Sequence, residues 1–253
     1  MKIACSSAAF AHQIADGELT QLEWLDVCAN ELEIDGVVFD AAHFPRTDGE
    51  YLAQLKKSAA DLGLGVAALA AADALDAGAR ETRLAQALAL GAPLLVVTAP
   101  AAAEDAAAWG AFTDALQALA RAAKTANVTL ALRNVAGTLC ASPVDLKRAA
   151  KDVDSSWLRF ALDAASFGDA DAADGVLAKS ALAVTTIADL ATFATSGDAA
   201  ADEVIARLAR FRGFVCLDAP AGRAAAGAYH AALERFAAKR ANALVTSAFV
   251  AES

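Results

Sequence analysis

Residues 93–134 read PLLVVTAPAAAEDAAAWGAFTDALQALARAAKTANVTLALRN, and this stretch contains the unit from which the whole fold is built. An apolar run from Pro93 to Val97 is short enough for a buried strand, and its proline can stand only at the start, where no ladder donor is needed. An Ala-rich segment from about Glu104 to Thr125 has the composition of a long helix. A second apolar run, Thr129 to Arg133, follows and closes on a cation and Asn134. Strand, long helix and strand in that order make a βαβ unit, whose two strands must run parallel.

The same alternation extends in both directions. Toward the N-terminus the strands are Lys2 to Ser6, Gly36 to Phe39 and Gly65 to Leu69. Helices separate them over about Thr20 to Leu32, Glu50 to Leu62 and Gly78 to Leu90, the last stopped by Gly91. Thr20 with Glu23 three residues later has the spacing of a capping box. Toward the C-terminus, Ser142-Pro143 reads as an N-cap followed by proline at the first helical position, opening a helix to about Lys151. Strands follow at Leu158 to Leu162, Leu182 to Thr186 and Phe214 to Asp218. The helices expected between and after them cover about Ala172 to Leu177, Asp202 to Phe211 and Gly222 to Ala238, and the apolar tail beyond Arg240 is expected to dock. Eight strand-helix units with no break in composition predict an α/β fold, a single (β/α)8 TIM barrel over residues 1–253. The alternative is an open doubly wound sheet. It is weakened by the count of eight and by Ser6-Ser7-Ala8-Ala9-Phe10 where a glycine-rich fingerprint would stand.

Composition narrows the function. Hydrophobic residues make up 57% of the 253, ample for a large core, and 21 Lys+Arg against 31 Asp+Glu leave a net charge of -10. Such a chain repels phosphate backbones and anionic lipid, so no nucleic-acid or membrane partner is expected. No leader and no apolar span are read, and a cytoplasmic location is expected. The four cysteines, Cys5, Cys28, Cys140 and Cys216, form no CxxC pair and lie among apolar neighbours, as buried reduced thiols do.

In a barrel of this kind the ligand site lies at the C-terminal ends of the strands. The polar residues there are Ser6 and His12, then Asp40, His43 and Arg46, then Thr98, Arg133 and Asn134, then Asp163, Thr186, Asp218 and Arg223. Asp163 and Asp218 each end an apolar run, where a partly desolvated carboxylate needs a cation beside it. Each alone could be a simple cap. The pair together with Arg133 suggests one shared site, although Arg133 could equally be a surface residue. His43 is either a general base or a structural loop histidine, and His12 has the same two readings. His230, inside the last helix, is expected to be solvated. Asp169, Asp171 and Asp174 lack the spacing of a calcium loop.

The chain resembles the sugar phosphate isomerase/epimerase family, the xylose-isomerase-like barrels. The resemblance rests on Leu19-Thr20 with Glu23-Trp24-Leu25, on Leu32-Glu33-Ile34-Asp35-Gly36-Val37, and on His43-Phe44-Pro45. Tyr51-Leu52-Ala53-Gln54-Leu55-Lys56, Ala89-Leu90-Gly91-Ala92-Pro93, Val128-Thr129-Leu130-Ala131-Leu132 and Leu162-Asp163 continue it. It implies a divalent metal held by Glu, Asp, His and Glu after strands five to eight. Here Arg133 stands at the first position, with Asn134 beside it as in the family. Asp163 matches the second position, Thr186 replaces the His, and Asp218 is one methylene shorter than the final Glu.

Arg133 puts positive charge where the cation would sit, so no metal and no other cofactor is expected. Three carboxylates around a divalent ion and two around one guanidinium both carry about one net negative charge. Arg133 is therefore expected to pair with Asp163 and Asp218 in place of the metal. The resemblance implies an isomerase or epimerase acting on a small polar molecule, a sugar or polyol. Arg133, Asp163, Asp218 and His43 are its candidate catalytic groups, and Ser6, His12, Asn134, Thr186 and Arg223 its candidate binding groups. The alternative is a non-catalytic ligand-binding barrel or accessory subunit. A homo-oligomer is compatible with either, and a nuclease is disfavoured by the acidic balance.

Overall fold

The computed structural model describes residues 2–103, 105–164, 166, 176, 178–197, 199–218 and 226–251. The strands are β1 (Lys2–Ser6), β2 (Gly36–Asp40), β3 (Gly65–Ala70), β4 (Leu94–Thr98), β5 (Thr129–Arg133), β6 (Leu158–Asp163), β7 (Ser180–Thr185) and β8 (Phe214–Leu217). Each pairs in parallel with the next, and β8 closes on β1, so the sheet is a complete eight-stranded barrel. Parallel strands are buried on both faces, which is why they read as near-continuous apolar runs.

Two apolar layers result. Val37, Phe39, Leu69, Leu95, Leu130, Leu162 and Val215 belong to the larger cluster, which joins the outside of the barrel to the helices. Their strand neighbours Ala4, Val38, Ala68, Val96, Ala131, Ala161, Val184 and Cys216 form a separate cluster that fills the interior. The period of two along a strand produces this division, and the small side chains let a narrow barrel pack solid.

The helices of the outer layer are α1 (Ala11–Ala15), α2 (Gln21–Asp26), α3 (Gly49–Asp61), α4 (Arg80–Leu90), α5 (Ala106–Ala126) and α6 (Pro143–Val153). After β7 come α7 (Ile187–Thr195) and α8 (Ala199–Arg210), and after β8 comes α9 (Ala226–Ala251). The capping box of Thr20 with Glu23 is formed as the sequence predicts, and Ser142 is the N-cap expected ahead of Pro143, with Asp145 completing a second capping box. Gly91 ends α4 in the left-handed region at φ 72°. Trp24 of α2 is fully buried and meets Phe39 of β2 edge to face, with ring centroids 5.4 Å apart. That contact ties the first helical layer to the barrel wall.

Four sequence expectations change. The helix expected from Thr20 to Leu32 is α-helical only to Asp26 and continues as a π turn, Val27–Glu31. β7 stops at Thr185, and α7 stands where no helix was expected. Its start carries a capping signal, because Thr186 accepts from the Asp189 N–H and its own hydroxyl donates to the Asp189 carboxylate. The last helix runs on to Ala251, and α9 packs along α7 and α8. His230 is not solvated. It is half-buried, and its Nε2 hydrogen-bonds the Glu31 carbonyl at the end of the π turn, a carbonyl with no donor of its own helix to follow. The helix expected near 172–177, apart from Val176, lies outside the described residues. So do Asp169, Asp171, Asp174 and Arg223. No helix among the described residues is long and apolar enough to cross a membrane.

Gly36 is a position where the barrel tolerates no side chain. A Cβ there would lie 2.5 Å from the Gly65 carbonyl oxygen and 2.7 Å from the Phe214 ring. The carbonyl belongs to the neighbouring strand and cannot turn away. Gly36→Ala is therefore expected to lower stability by about 2–3 kcal/mol, read from the urea midpoint.

Candidate functional site

The C-terminal ends of β5 and β8 bring two opposite charges together. Arg133 is the last residue of β5, and Asp218 directly follows β8. The backbone N–H of Asp218 is fixed to the Thr185 carbonyl 3.0 Å away. Arg133 Nη1 donates to Asp218 Oδ2 in a close ion pair. The two side chains keep only 26% and 17% of their exposure, so the pair is largely withdrawn from water while still reachable from the barrel mouth. Arg133 Nε is buried without a hydrogen-bond partner, an orphan donor at the centre of the strand ends.

Asp163 ends β6, half-buried, and its backbone N–H donates to Asn134 Oδ1 at 2.8 Å. Asn134 itself is buried and its Nδ2 donates to Ser166 Oγ at 3.0 Å, so this side chain braces the ends of β5 and β6. The expected double pairing is thus half present. Arg133 pairs with Asp218, and no ion pair joins it to Asp163.

On the opposite side of the mouth, Ser7 is fully buried and its Oγ lies 2.9 Å from His43 Nδ1. The same oxygen accepts from the Asp40 N–H at 2.9 Å. The hydroxyl has a second lone pair and its own proton, so it can answer His43 Nδ1 in either tautomer. The His43 carbonyl accepts from Gln21 Nε2 at 3.0 Å, so ring and backbone are both held. Asp40 Oδ1 accepts from the Ala42 N–H. Behind it, Arg83 of α4 grips Asp73 through two hydrogen bonds of 2.8 and 2.7 Å. Asp73, with a smaller pull from Asp40, pushes the Arg83 guanidinium further up, and Arg83 in turn holds the Asp73 carboxyl below its ordinary range.

The remaining predicted residues are placed differently. Ser6 is fully buried, and its oxygen caps the short turn over β1 by accepting from Ala8 N–H at 3.1 Å. Thr186 is committed to capping α7. His12 is exposed on α1 and makes no side-chain hydrogen bond among the described residues. Arg46 is exposed and paired with Asp48. Ser7, Gln21, Asp73 and Arg83 escaped sequence reasoning. A second serine directly after β1 was the available signal for Ser7, whereas Arg83 sits on a helix far from any strand end.

All four cysteines are buried and free. Burial, with Asp218 adding to it, pushes the Cys216 thiol up, and the neighbouring Cys28 thiol, then burial, does the same for Cys5. Burial with the nearby Asp145 pushes Cys140 up to about 12. A thiol raised in the folded state stays protonated while the unfolded chain ionises. Its contribution is therefore complete below the ordinary value of 9.0 and lost as pH rises toward about 12. Urea midpoints are expected to hold from pH 7 to about 9 and fall steadily above it, with the thiols unreactive to thiol reagents until the chain unfolds.

The sequence pattern of the xylose isomerase-like TIM barrel family matches residues 28–239. The chain belongs to this family. Among solved structures, this member of the family superposes on a D-tagatose 3-epimerase-like protein with TM-score 0.73 at 13% identity, covering 96% of this chain and 100% of that one. It superposes on L-ribulose 3-epimerase with TM-score 0.72 at 16% identity, covering 98% and 97%. A xylose isomerase-like TIM barrel protein from Mycobacterium smegmatis, in complex with magnesium, gives 0.67 at 15% identity, covering 94% and 97%. No curated protein matches the sequence.

Among the described residues the donors at the strand ends are a poor set for a divalent ion. Among the described residues no group of three or more His, Cys, Asp or Glu is placed to hold a metal. One of the two carboxylates at the strand ends, Asp218, is already taken by Arg133, and the Thr186 oxygen is turned into the cap of α7. A cation placed among them would face a guanidinium fixed in its own position.

Proposed function

We propose that the barrel is an isomerase- or epimerase-like protein for a small sugar or polyol, working through Arg133 instead of a divalent cation. The observation that carries this reading is the Arg133–Asp218 ion pair at the strand ends, with a buried donor, Arg133 Nε, left over for a ligand oxygen. A guanidinium held in a partly dried site stabilises negative charge developing on a carbonyl oxygen. In an epimerisation, a carboxylate removes the proton from the carbon beside that carbonyl. The C–H electrons then form an enediolate whose oxygen Arg133 holds. Proton return to the opposite face inverts the centre, and no electron is gained or lost. Asp163 and Asp218 are the carboxylates at hand, and His43 is the third proton carrier.

The epimerase structures that share this fold suggest ketoses as the first substrates to try; the shared fold alone does not assign them. The test is incubation with ketopentoses and ketohexoses in heavy water containing EDTA, followed by proton NMR. Expected is deuterium entry at the carbon beside the carbonyl, unaffected by EDTA and abolished in Asp218→Asn. Turnover that needs an added divalent ion would refute the guanidinium reading. A second reading is favoured by the same ion pair, since Arg133 and Asp218 are spent on each other. A barrel that binds a sugar without turning it over would show saturable binding and no exchange.

A further inference from the structure

A second cluster of charge lies at the other end of the barrel. Ser180 begins β7, and Gly213 directly precedes β8, so both mark the N-terminal ends of their strands, remote from Arg133 and Asp218. Between them and the end of α8 opens a cavity of about 430 Å³, lined by Arg207, Arg210, Phe211 and Arg212 together with those two residues. That volume is within the range of small-molecule sites. Three arginines lining one cavity stand out in a chain of net charge -10.

The three arginines differ in how far they are already satisfied. Arg207 is 8% exposed, and its Nε donates to Glu203 Oε1 at 2.9 Å, so its charge is largely answered. Arg210 and Arg212 are exposed and have no acidic partner among the described residues. Lys2 adds a further cation, its backbone N–H bonded to the Gly213 carbonyl and its ammonium group over the Phe214 ring. The negative end of the α8 dipole amounts to about half a charge and offsets less than one of these groups. The frame is rigid. A Cβ on Gly213 would come within 2.8 Å of both the Ala181 carbonyl and the Phe211 ring, so this segment is fixed by close approach. Phe211, nearly buried, supplies an apolar wall.

We infer that this cavity is a binding site for the phosphate groups of a small phosphorylated molecule. Guanidinium forks match phosphate oxygens two at a time, and the apolar wall has room for the carbon part of such a ligand. The site is independent of the reading of the barrel mouth. It is tested by calorimetric titration of the full chain with inorganic pyrophosphate at low ionic strength. Expected is saturable binding, weakened about tenfold or more in the Arg210→Ala/Arg212→Ala double variant. Binding is expected to be unchanged in Arg133→Met, because Arg133 lies at the opposite end. Both arginines are exposed, so the double variant keeps the fold, which a far-ultraviolet spectrum checks. Absence of saturable binding, equal affinity in the double variant, or loss of binding in Arg133→Met would each overturn the inference.

Discussion

Arg133→Met is expected to destabilise the protein by about 2–3 kcal/mol, more than a half-exposed surface arginine would cost. The reason is what it leaves behind. Asp218 would remain 17% exposed, facing a thioether instead of a guanidinium. Removing one member of a fully buried pair costs about 3–5 kcal/mol, and the open mouth brings the figure down because water can reach part of the carboxylate. The double variant Arg133→Met/Asp218→Asn removes both charges and is expected to recover all but about 1 kcal/mol. Urea unfolding of the wild type, both single variants and the double variant measures the coupling. Independent, additive losses would mean that the ion pair carries no weight in the folded state.

Trp24→Ala is expected to cost about 3–5 kcal/mol, the largest loss of any single substitution considered. Trp24 is fully buried between α2 and the barrel wall, in edge contact with Phe39, which itself lies 5.9 Å from the Phe44 ring. Truncation opens a void bounded on one side by closed sheet, which cannot collapse to fill it. Trp24→Phe is expected to lose less than half as much, since it keeps an aromatic ring against Phe39. Thermal and urea unfolding of both variants check the order. The consequence reaches the site, because Phe44 is next to His43 and the same aromatic group packs beneath the turn that presents it.

The barrel was legible because each strand is a short apolar run with a polar residue at its downstream end. Arg133, Asp163 and Asp218 fall at strand ends for that reason, and their sequence positions were enough to place them. Thr186 shows the limit of that logic. It was read as the end of a strand, yet Thr186 and Asp189 together have the spacing of a helix start, and α7 follows. A residue at a strand-helix junction satisfies both patterns, and only the direction of its hydroxyl separates them. The His230 contact to Glu31 joins the π turn after α2 to α9, 199 residues away in sequence. No local pattern encodes such a contact. The Ser7–His43 pair was hidden for the same reason, being set by how the turns after β1 and β2 meet, whereas Asp73–Arg83 joins the segment after β3 to the helix that follows it.

The family relation sharpens what Arg133 means. In this chain a guanidinium, fixed to Asp218, stands at the strand-five end. The proposal that this group takes the place of the cation is tested by titrating the purified protein with manganese in a calorimeter, with Arg133→Glu measured beside it. Expected are no stoichiometric binding by the wild type and measurable binding by Arg133→Glu, which places a third carboxylate beside Asp163 and Asp218. One manganese bound per wild-type chain, with the melting temperature rising in a saturable way, would contradict it.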